Sequence, residues 1–409
     1  MESQRAGAVL GTADVVILGA GPAGLVLGNI LRTAGIDCVI LERAARAELH
    51  TRARAGFLAA NTVRILDRHG LADGLRRHGQ QHGTCEFRTD SGRFRLDYGS
   101  LGRRERHTVY PQQDLVADLL ARYEGAGGRI LFASEALAVT DADTDRTRPS
   151  VSVRAEDGRP GRWQGRYVAG CDGRHGAARR SLPPGAVRRH HLDLGVSWLG
   201  LLAEAPPSLD AIGYAVHARG FAGHMARTAE VTRYYLQCAR GTAAGDRSDE
   251  WIWDELELRM RAAEHGPLHR GRFLQRMVID LESDVLEPLR HGSLLLAGDA
   301  ASLLSPSAAK GANLAVLEAE LLADALIAAL RHGSTGGLDG YSARCLAHVR
   351  QAQRFSQWMT RLLHGLPHAP GRGEPLSPYH EPLQKRPCLD TLRTSPAEQD
   401  WFAEQYVGI

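Results

Sequence analysis

Two kinds of hydrophobic pattern alternate along the chain, and each predicts a different kind of strand. Residues 15–18, 39–41 and 294–297 are short, unbroken apolar runs, which are typical of parallel strands covered on both faces. Residues 190–203, 212–217, 221–225 and 231–239 are longer and interrupted by polar positions, as in successive strands of a half-buried sheet. The pattern predicts an α/β fold in which a β-rich segment is inserted into a parallel core.

Helical periodicity fills the remaining lengths. A helix is expected around Trp251, Leu256 and Met260, and one long helix over residues 338–363. The chain is accordingly divided into a parallel-sheet domain at 1–182, a β-rich domain at 183–285, a return to the first domain at 286–335 and a helical C-terminal region at 336–409.

The first apolar run leads into a glycine motif. Gly19, Gly21 and Gly24 have G-x-G-x-x-G spacing between a strand and a helical run, and Glu42 ends the second strand about 20 residues further on. Such glycines allow a tight turn, a close approach of the backbone to a pyrophosphate and close packing of helix on strand. A carboxylate at the position of Glu42 suits the ribose hydroxyls of an adenosine.

Two later turns repeat the theme of a strand followed by glycine and acid. One is Cys171-Asp172-Gly173, where Asp172 either contributes to a binding site or only caps the next helix. The other is Gly298-Asp299, followed by a turn at Lys310 that leads into a helix. A carboxylate and free N–H groups at such a turn suit a ribityl chain and a flavin ring.

Composition narrows the function classes. The 409 residues carry a formal net charge of +3, and only Lys310 and Lys385 are lysines. No basic run is interleaved with aromatic residues, so a nucleic-acid partner is not expected. The six cysteines are scattered without a C-x-x-C pair, so neither disulfides nor a metal site is expected. No signal peptide or membrane span is indicated, and a cytoplasmic location is expected.

A pair of arginines follows the second strand. Arg52 and Arg54 stand beside Gly56, and their planar guanidinium groups suit phosphates or carboxylates. Taken alone, these residues are better interpreted as a solvated loop.

The three glycine turns together carry a family resemblance. Gly19-Ala-Gly-Pro-Ala-Gly24 with Glu42, Cys171-Asp-Gly-Arg-His175 and Ala297-Gly-Asp299 resemble the set found in single-component FAD-dependent aromatic hydroxylases, most closely the branch that acts on 4-hydroxybenzoate. The likeness runs from Val15 to Gly408. It implies a Rossmann-like FAD-binding βαβ domain, an inserted β-rich substrate domain, and a homodimer as one open possibility.

The resemblance assigns cofactor contacts. Non-covalent FAD would be held by Gly19, Gly21, Ala23, Gly24, Glu42, Arg54, Gln112, Asp299, Ala312 and Asn313. NADPH or NADH would be received by Arg43, Arg52, His175 and Arg179, because such enzymes have no second Rossmann domain. The resemblance implies that oxygen is activated as a flavin C4a-hydroperoxide, which attacks an electron-rich ring.

It also assigns the substrate site. Arg227 would hold the carboxylate of an aromatic acid, with Tyr235 nearby. Tyr214 would bind the phenol oxygen and Tyr406 would bind Tyr214. His82 would end the proton path to solvent, and the carbonyl of Pro306 would face the phenol.

Several residues differ from the family pattern at positions that are expected to surround the aromatic acid. Met225 stands where a serine helps to hold the carboxylate, Gly223 replaces a leucine, His224 a cysteine and Phe57 a valine. Ser305 and Ala308 alter the turn around Pro306. The loss of a leucine is expected to open space in the pocket wall. A substituted substrate such as 3-amino-4-hydroxybenzoate, hydroxylated at the 2-position, is therefore an alternative to 4-hydroxybenzoate.

Three other classes fit less well. A flavin halogenase is suggested only by Trp251-Ile-Trp253, which Asp254-Glu255 follows where that family has Ile-Pro. A dithiol reductase needs a second dinucleotide fold and a redox cysteine pair. A non-catalytic flavin-binding protein stays open.

Overall fold

The protein is described by a computed structural model covering residues 8–49, 56–90, 92–143, 148–262, 266–364 and 381–408, with side chains described for all of these except 381–386. Arg52 and Arg54 lie outside the described residues.

A parallel sheet forms the centre of the first domain. Five of its strands, including Val15–Leu18 and Cys38–Leu41, run parallel, and these two have every side chain buried. This is why they appear in the sequence as unbroken apolar runs. In spatial order the six strands are Arg290–His291, Leu294–Leu296, Tyr167–Gly170, Val15–Leu18, Cys38–Leu41 and Arg129–Leu131; the first pairs antiparallel at the edge.

Helices cover this sheet. Pro22–Thr33 packs against Gln112–Gly125 and against Gly311–His332. Two small sheets flank the core: one of Ala8–Thr12, Pro160–Gln164, Ser150–Arg154 and Glu135–Thr140, the other of Phe57–Leu58, His107–Val109 and Gln80–His82.

An eight-stranded sheet forms the second layer. Its spatial order is Ser302–Leu303, Arg272–Glu287, Arg188–Glu204, Thr232–Cys238, Gly220–Ala226, Ile212–His217, Cys85–Thr89 and Gly92–Leu96. The strands expected in the β-rich segment are all present. The sheet also recruits strands from outside residues 183–285, because Cys85–Thr89 pairs in parallel with Ile212–His217.

The two faces of this sheet are covered differently. On one face lies the helix Asp249–Met260, which packs through Ile252 and Leu256. On the other, Tyr214 and Met225 join a cluster with the C-terminal helices. Strand alternation therefore sends one set of side chains to a separate small core and the other toward the C-terminal region.

The described part of the C-terminal region is helical, as expected, with one long helix at Gly336–His364. The remaining helices are Arg46–Leu49, Ala60–Arg68, Asp73–His78, Ala177–Arg180, Glu381–Thr394 and Pro396–Val407, with short 3₁₀ turns at Tyr98–Ser100, Gly298–Ala300 and Pro306–Ala308. Within the described ranges, no helix has the length and apolar character to cross a bilayer. The α/β fold class is confirmed; the four-part domain division stays a prediction.

Candidate active site

The first glycine turn is built as its motif requires. Gly19 has φ +94°, and a Cβ there would lie 2.6 Å from the carbonyl oxygen of Cys171. A Cβ at Gly24 would lie 2.0 Å from the Gly19 carbonyl oxygen, so the helix approaches the strand too closely for a side chain. A Cβ at Gly21 would meet nothing within 4 Å. The open side of the turn therefore lies at the second glycine, where a pyrophosphate would approach, with Ala23 on the first helical turn.

Glu42 is fixed at the end of the second strand. It is buried, and its carboxylate accepts hydrogen bonds from the backbone N–H of Ala20 at 2.7 Å and of Ala44 at 2.8 Å. The carboxylate is therefore held in place at this edge, and its assigned contact with the ribose of FAD stays a prediction.

In the turn Cys171-Asp172-Gly173, the structure favours the interpretation that Asp172 caps the next helix. A carboxylate oxygen of Asp172 accepts a hydrogen bond from the backbone N–H of Ala178 at 3.0 Å, which places Asp172 as a cap on the helix Ala177–Arg180.

A buried acid that the sequence analysis did not single out braces the third turn. Glu318 accepts hydrogen bonds from the backbone N–H of Gly298 at 2.7 Å and from the hydroxyl of Ser302 at 2.8 Å. Burial raises the pKa of Glu318 to about 8. Asp299 lies in the 3₁₀ turn that these bonds hold. The signal for Glu318 was an acid within a mostly apolar helical run, which it shares with Glu320 and Asp324.

Asn313 ties the start of a long helix to a neighbouring strand. Its amide oxygen accepts from the Ala59 N–H and the Thr62 hydroxyl, and its NH₂ group donates to the carbonyls of Phe57 and Ala309, all within 2.7–3.0 Å. Ala312 belongs to the first turn of the same helix, and Gln112 begins another. Their assigned FAD contacts stay predictions.

The residues assigned to the nicotinamide are in unlike environments. Arg43 and His175 are exposed. Arg179 is largely buried, donating to the Asp284 carboxylate at 3.1 Å and to the Ala300 carbonyl at 2.8 Å. This guanidinium is already engaged within the protein, so its assignment to a nicotinamide is the weakest of the set.

The substrate residues come together on one face of the eight-stranded sheet. Cross-strand register pairs Tyr214 with Gly223, Gly223 with Tyr235, and Met225 with Arg233, and residues paired in this way point to the same face. Arg227 follows the end of the Met225 strand and is 6% exposed. The structure thus brings the predicted substrate residues together and adds Arg233.

Two buried guanidinium groups make this face positive. Arg233 is 2% exposed, and its Nε and Nη2 have no hydrogen-bond partner within the described ranges. Burial, with the charge of Arg233, lowers the pKa of Arg227. Buried donors are normally satisfied and buried like charges are unfavourable, so the arrangement suits an anionic ligand.

The C-terminal helix supplies the second tyrosine of the predicted pair. The hydroxyl oxygens of Tyr214 and Tyr406 are 2.5 Å apart, and both side chains are buried. Burial raises the pKa of both phenols. Pro306 lies in a 3₁₀ turn that Ser305 caps, and its contact with a substrate stays a prediction.

Lys310 anchors the end of that helix. Its ammonium donates to the carbonyl oxygens of Gln405 at 2.7 Å and Tyr406 at 2.9 Å, and also to that of Gly408. The side chain is 1% exposed, and burial lowers the pKa of Lys310 to about 7. This contact joins the turn before Gly311–His332 to the residue that carries the second hydroxyl.

The expected space at Gly223 is already filled, so that expectation was wrong. A Cβ at Gly223 would lie 2.9 Å from Cζ of Phe221 and 3.3 Å from Cδ2 of Tyr235, because the two rings close over the glycine. His224 points to the opposite face, where its Nε2 accepts from the backbone N–H of Ser208 at 3.1 Å. Of the departures on this strand, Met225 is therefore the one that places a side chain on the face of the substrate residues.

Comparison with known proteins agrees with this geometry. The profile of the family described as "FAD binding domain" matches residues 12–356. The chain belongs to this family, and within it to the FAD-dependent aromatic-ring monooxygenases. It is 36% identical, over 97% of its length and 95% of the relative's, to p-hydroxybenzoate hydroxylase of Acinetobacter baylyi.

More distant likenesses point the same way. One relative is a 3-(3-hydroxy-phenyl)propionate/3-hydroxycinnamic acid hydroxylase of Mycolicibacterium smegmatis. The two sequences are 26% identical over an alignment that covers 86% of this chain and 62% of the relative. Among solved structures, p-nitrophenol 4-monooxygenase from Pseudomonas putida has a TM-score of 0.80 at 18% identity, covering 97% of this chain and 99% of the other. At that identity the likeness concerns the fold alone.

Proposed function

We propose that this monooxygenase hydroxylates a 4-hydroxybenzoate-type aromatic acid, with a reduced nicotinamide (NADPH or NADH) as electron donor and O₂ as co-substrate. The observation that carries the proposal is the placement of two buried arginines and Tyr214 on one sheet face, with Tyr406 of the C-terminal helix at hydrogen-bond distance from Tyr214. A ligand that satisfies both ends has a carboxylate at one end and a phenol at the other.

The carboxylate end is supported by charge. Arg227 provides a buried guanidinium beside Arg233, whose unpartnered nitrogens call for an anion. A carboxylate accepts two parallel N–H···O bonds from such a group, which fixes the ring direction as well as binding it. Tyr235 lies on the same face in the next register position.

The phenol end is supported by the tyrosine pair. Bound FAD would supply the reduction of O₂ and the delivery of one oxygen atom to the ring. The protein's own task is to take the phenol proton, since a phenolate ring is richer in electrons. Tyr214 would accept that proton while passing its own to Tyr406 across 2.5 Å. The surrounding aromatic cluster keeps water away from the reacting ring.

A second substrate, 3-amino-4-hydroxybenzoate hydroxylated at the 2-position, is favoured by Met225. This side chain replaces a hydroxyl-bearing residue expected beside the carboxylate, and it is directly opposite Arg233. With one hydrogen-bond donor missing, the acid would be held less firmly in one orientation, and a different ring carbon would come to face the flavin.

The test is a panel of hydroxy- and amino-benzoates assayed with the FAD-loaded protein. Reduced-nicotinamide consumption, oxygen uptake and product mass are measured together, because uncoupled oxidation consumes the nicotinamide without product. We expect one panel member to give nearly one hydroxylated product per nicotinamide. If no 4-hydroxy acid gives product, the proposed substrate class is wrong.

A further inference from the structure

Tyr98 lies between two imidazole rings next to the tyrosine pair. Its hydroxyl donates to the main-chain carbonyl of His82 at 2.7 Å. The same oxygen is 3.4 Å from Nδ1 of His82 and 3.3 Å from Nδ1 of His107. Tyr98 and His107 are both buried, whereas His82 is half-buried. One phenol oxygen therefore connects a fully enclosed histidine to a partly accessible one.

The hydrogen bonds of Tyr98 indicate which nitrogen of His82 carries the hydrogen. Because the Tyr98 hydrogen is used on the His82 carbonyl, its oxygen can only accept from the two rings. For the His82 ring to bond this oxygen, its Nδ1 must then carry a hydrogen. For neutral His82 this leaves Nε2 as the basic nitrogen. Burial lowers the pKa of His82, which keeps the ring in the neutral form that can accept a proton.

The backbone holds this arrangement in register. His82 and His107 are directly opposite each other on the antiparallel strands Gln80–His82 and His107–Val109. The N–H of Gly99, the residue after Tyr98, donates to the Gly83 carbonyl at 2.9 Å. The two imidazoles and the phenol are therefore positioned by three segments that bond to one another.

The same residues enclose Tyr406. The rings of Tyr98 and His107 meet the Tyr406 ring edge-on, with centroids 5.0 Å and 4.8 Å away. Phe57 stacks on His107 with ring centroids 3.8 Å apart, and its ring centroid lies 6.0 Å from that of Tyr406. The described contacts thus link Tyr406 to His82 by way of Tyr98 and His107.

We infer that Tyr98 and His107 are positioning residues for the proton exit, which orient His82 and set its tautomer so that the phenol proton leaves through this ring. The inference rests on the proposed function. In the step served, the substrate O–H bond breaks, one proton is gained by His82 at Nε2 and then lost to solvent, and the substrate remains as phenolate. No electrons are transferred in this step.

The test uses Tyr98→Phe in the FAD-loaded enzyme, with the best-coupled 4-hydroxy acid of the panel as substrate. We expect substrate binding to change little and the hydroxylation rate near pH 7 to fall about 10-fold, a fraction of what positioned proton transfer contributes. The defect should shrink as the pH approaches the phenol pKa, about 10 for a tyrosine-like phenol, because the acid then binds already ionised.

A double-mutant comparison separates positioning from packing. If Tyr98 acts through His82, the variant carrying both Tyr98→Phe and His82→Gln should be no slower than His82→Gln alone. His107→Leu should show the same pH-dependent defect, and it keeps the inference testable if Tyr98→Phe folds poorly. Fully additive effects of Tyr98→Phe and His82→Gln would overturn the inference.

Tyr123→Phe is the matched control. Tyr123 is equally buried, but it belongs to the core around the parallel sheet, where its hydroxyl lies 3.2 Å from the Cys38 carbonyl. It should lower stability without moving the pH profile. A Tyr98→Phe enzyme that behaves like this control would refute the inference. If Tyr214→Phe is also silent, the proposed relay itself fails.

Discussion

The glycine turn of the parallel sheet and the substrate face of the eight-stranded sheet satisfy their polar groups in opposite ways. At the turn, the carboxylate of Glu42 is held by two backbone N–H groups. On the substrate face, buried Arg233 keeps two nitrogens without partners within the described ranges. The Glu42 carboxylate is thus held by protein groups before any cofactor binds, whereas we expect an anionic ligand to pair with the Arg233 guanidinium.

This difference separates polar groups that are paired within the protein from polar groups that we expect the substrate to pair. Buried polar groups are satisfied in most places, so a concentration of positive charge beside a tyrosine pair marks the position where binding free energy is available. Mutations at the substrate face should therefore change binding and chemistry, while mutations of paired groups elsewhere should change stability.

The largest effect is expected at Tyr214. Tyr214→Phe removes the hydroxyl that meets Tyr406 at 2.5 Å, so hydroxylation should fall roughly 10²–10⁴-fold, the range for positioned proton transfer. Flavin and substrate binding should change little. Peroxide release and product yield per nicotinamide measure the loss. Normal coupling in this variant would contradict the relay.

The next largest effect is expected at Arg227. Arg227→Ala leaves a buried carboxylate without its partner, at a typical cost of about 2–5 kcal/mol, so substrate affinity should weaken by roughly 30-fold or more. The affinity is measured by titrating substrate and following the change that it causes in the spectrum of the bound flavin.

Arg259 provides the control on the other face of the same sheet. It is also buried, but it pairs with Glu255. Arg259→Ala should lower stability and leave substrate affinity unchanged. Equal losses of affinity in both variants would mean that the two faces do not differ as described.

Much of the fold could be predicted because its signals are local. The parallel strands show as unbroken apolar runs, and Gly24 is required by a contact within its own strand–helix turn. Gly19 is part of the same local motif, although the atoms that exclude a side chain there belong to Cys171 and Asp172. The pairing of Cys85–Thr89 with Ile212–His217 has no local signal, so the extent of the second sheet was not predictable.

The site was predictable only in part. Tyr214, Tyr406 and Arg227 were assigned by resemblance, and the structure brings Tyr214 to Tyr406. The roles of Lys310 and Glu318 depend on burial by distant segments, which spacing along the chain does not show. The expectation at Gly223 was wrong because aromatic rings from its own and the neighbouring strand fill the space.

The next prediction concerns Lys310, a group near the site that already has hydrogen-bond partners and should therefore affect the free energy of unfolding. Its pKa of about 7 in the folded protein is below the usual 10.5, so the unfolded chain binds more protons between these values. The stability contributed by Lys310 should therefore rise with pH across this window and be lost as the pH falls through about 7.

The measurement compares urea unfolding of the unaltered protein with that of Lys310→Met. The difference in unfolding free energy should change by on the order of 2–4 kcal/mol between pH 7 and 10. A difference that stays flat over this range would show that the ammonium is not desolvated as the structure indicates.

The smallest effect is expected at Met225, where the two substrate candidates are separated. Met225→Ser restores a hydroxyl directly opposite Arg233 without disturbing the rings over Gly223, which Gly223→Leu would displace. A single group in a pocket is worth only about 1–3 kcal/mol of selectivity, so preference should shift by about 10-fold, not switch completely. We expect the unaltered protein to couple 3-amino-4-hydroxybenzoate better and the variant to move toward 4-hydroxybenzoate, as product mass per nicotinamide will show. If the unaltered protein already couples 4-hydroxybenzoate best, Met225 does not select for a ring substituent, and the simpler acid is the substrate.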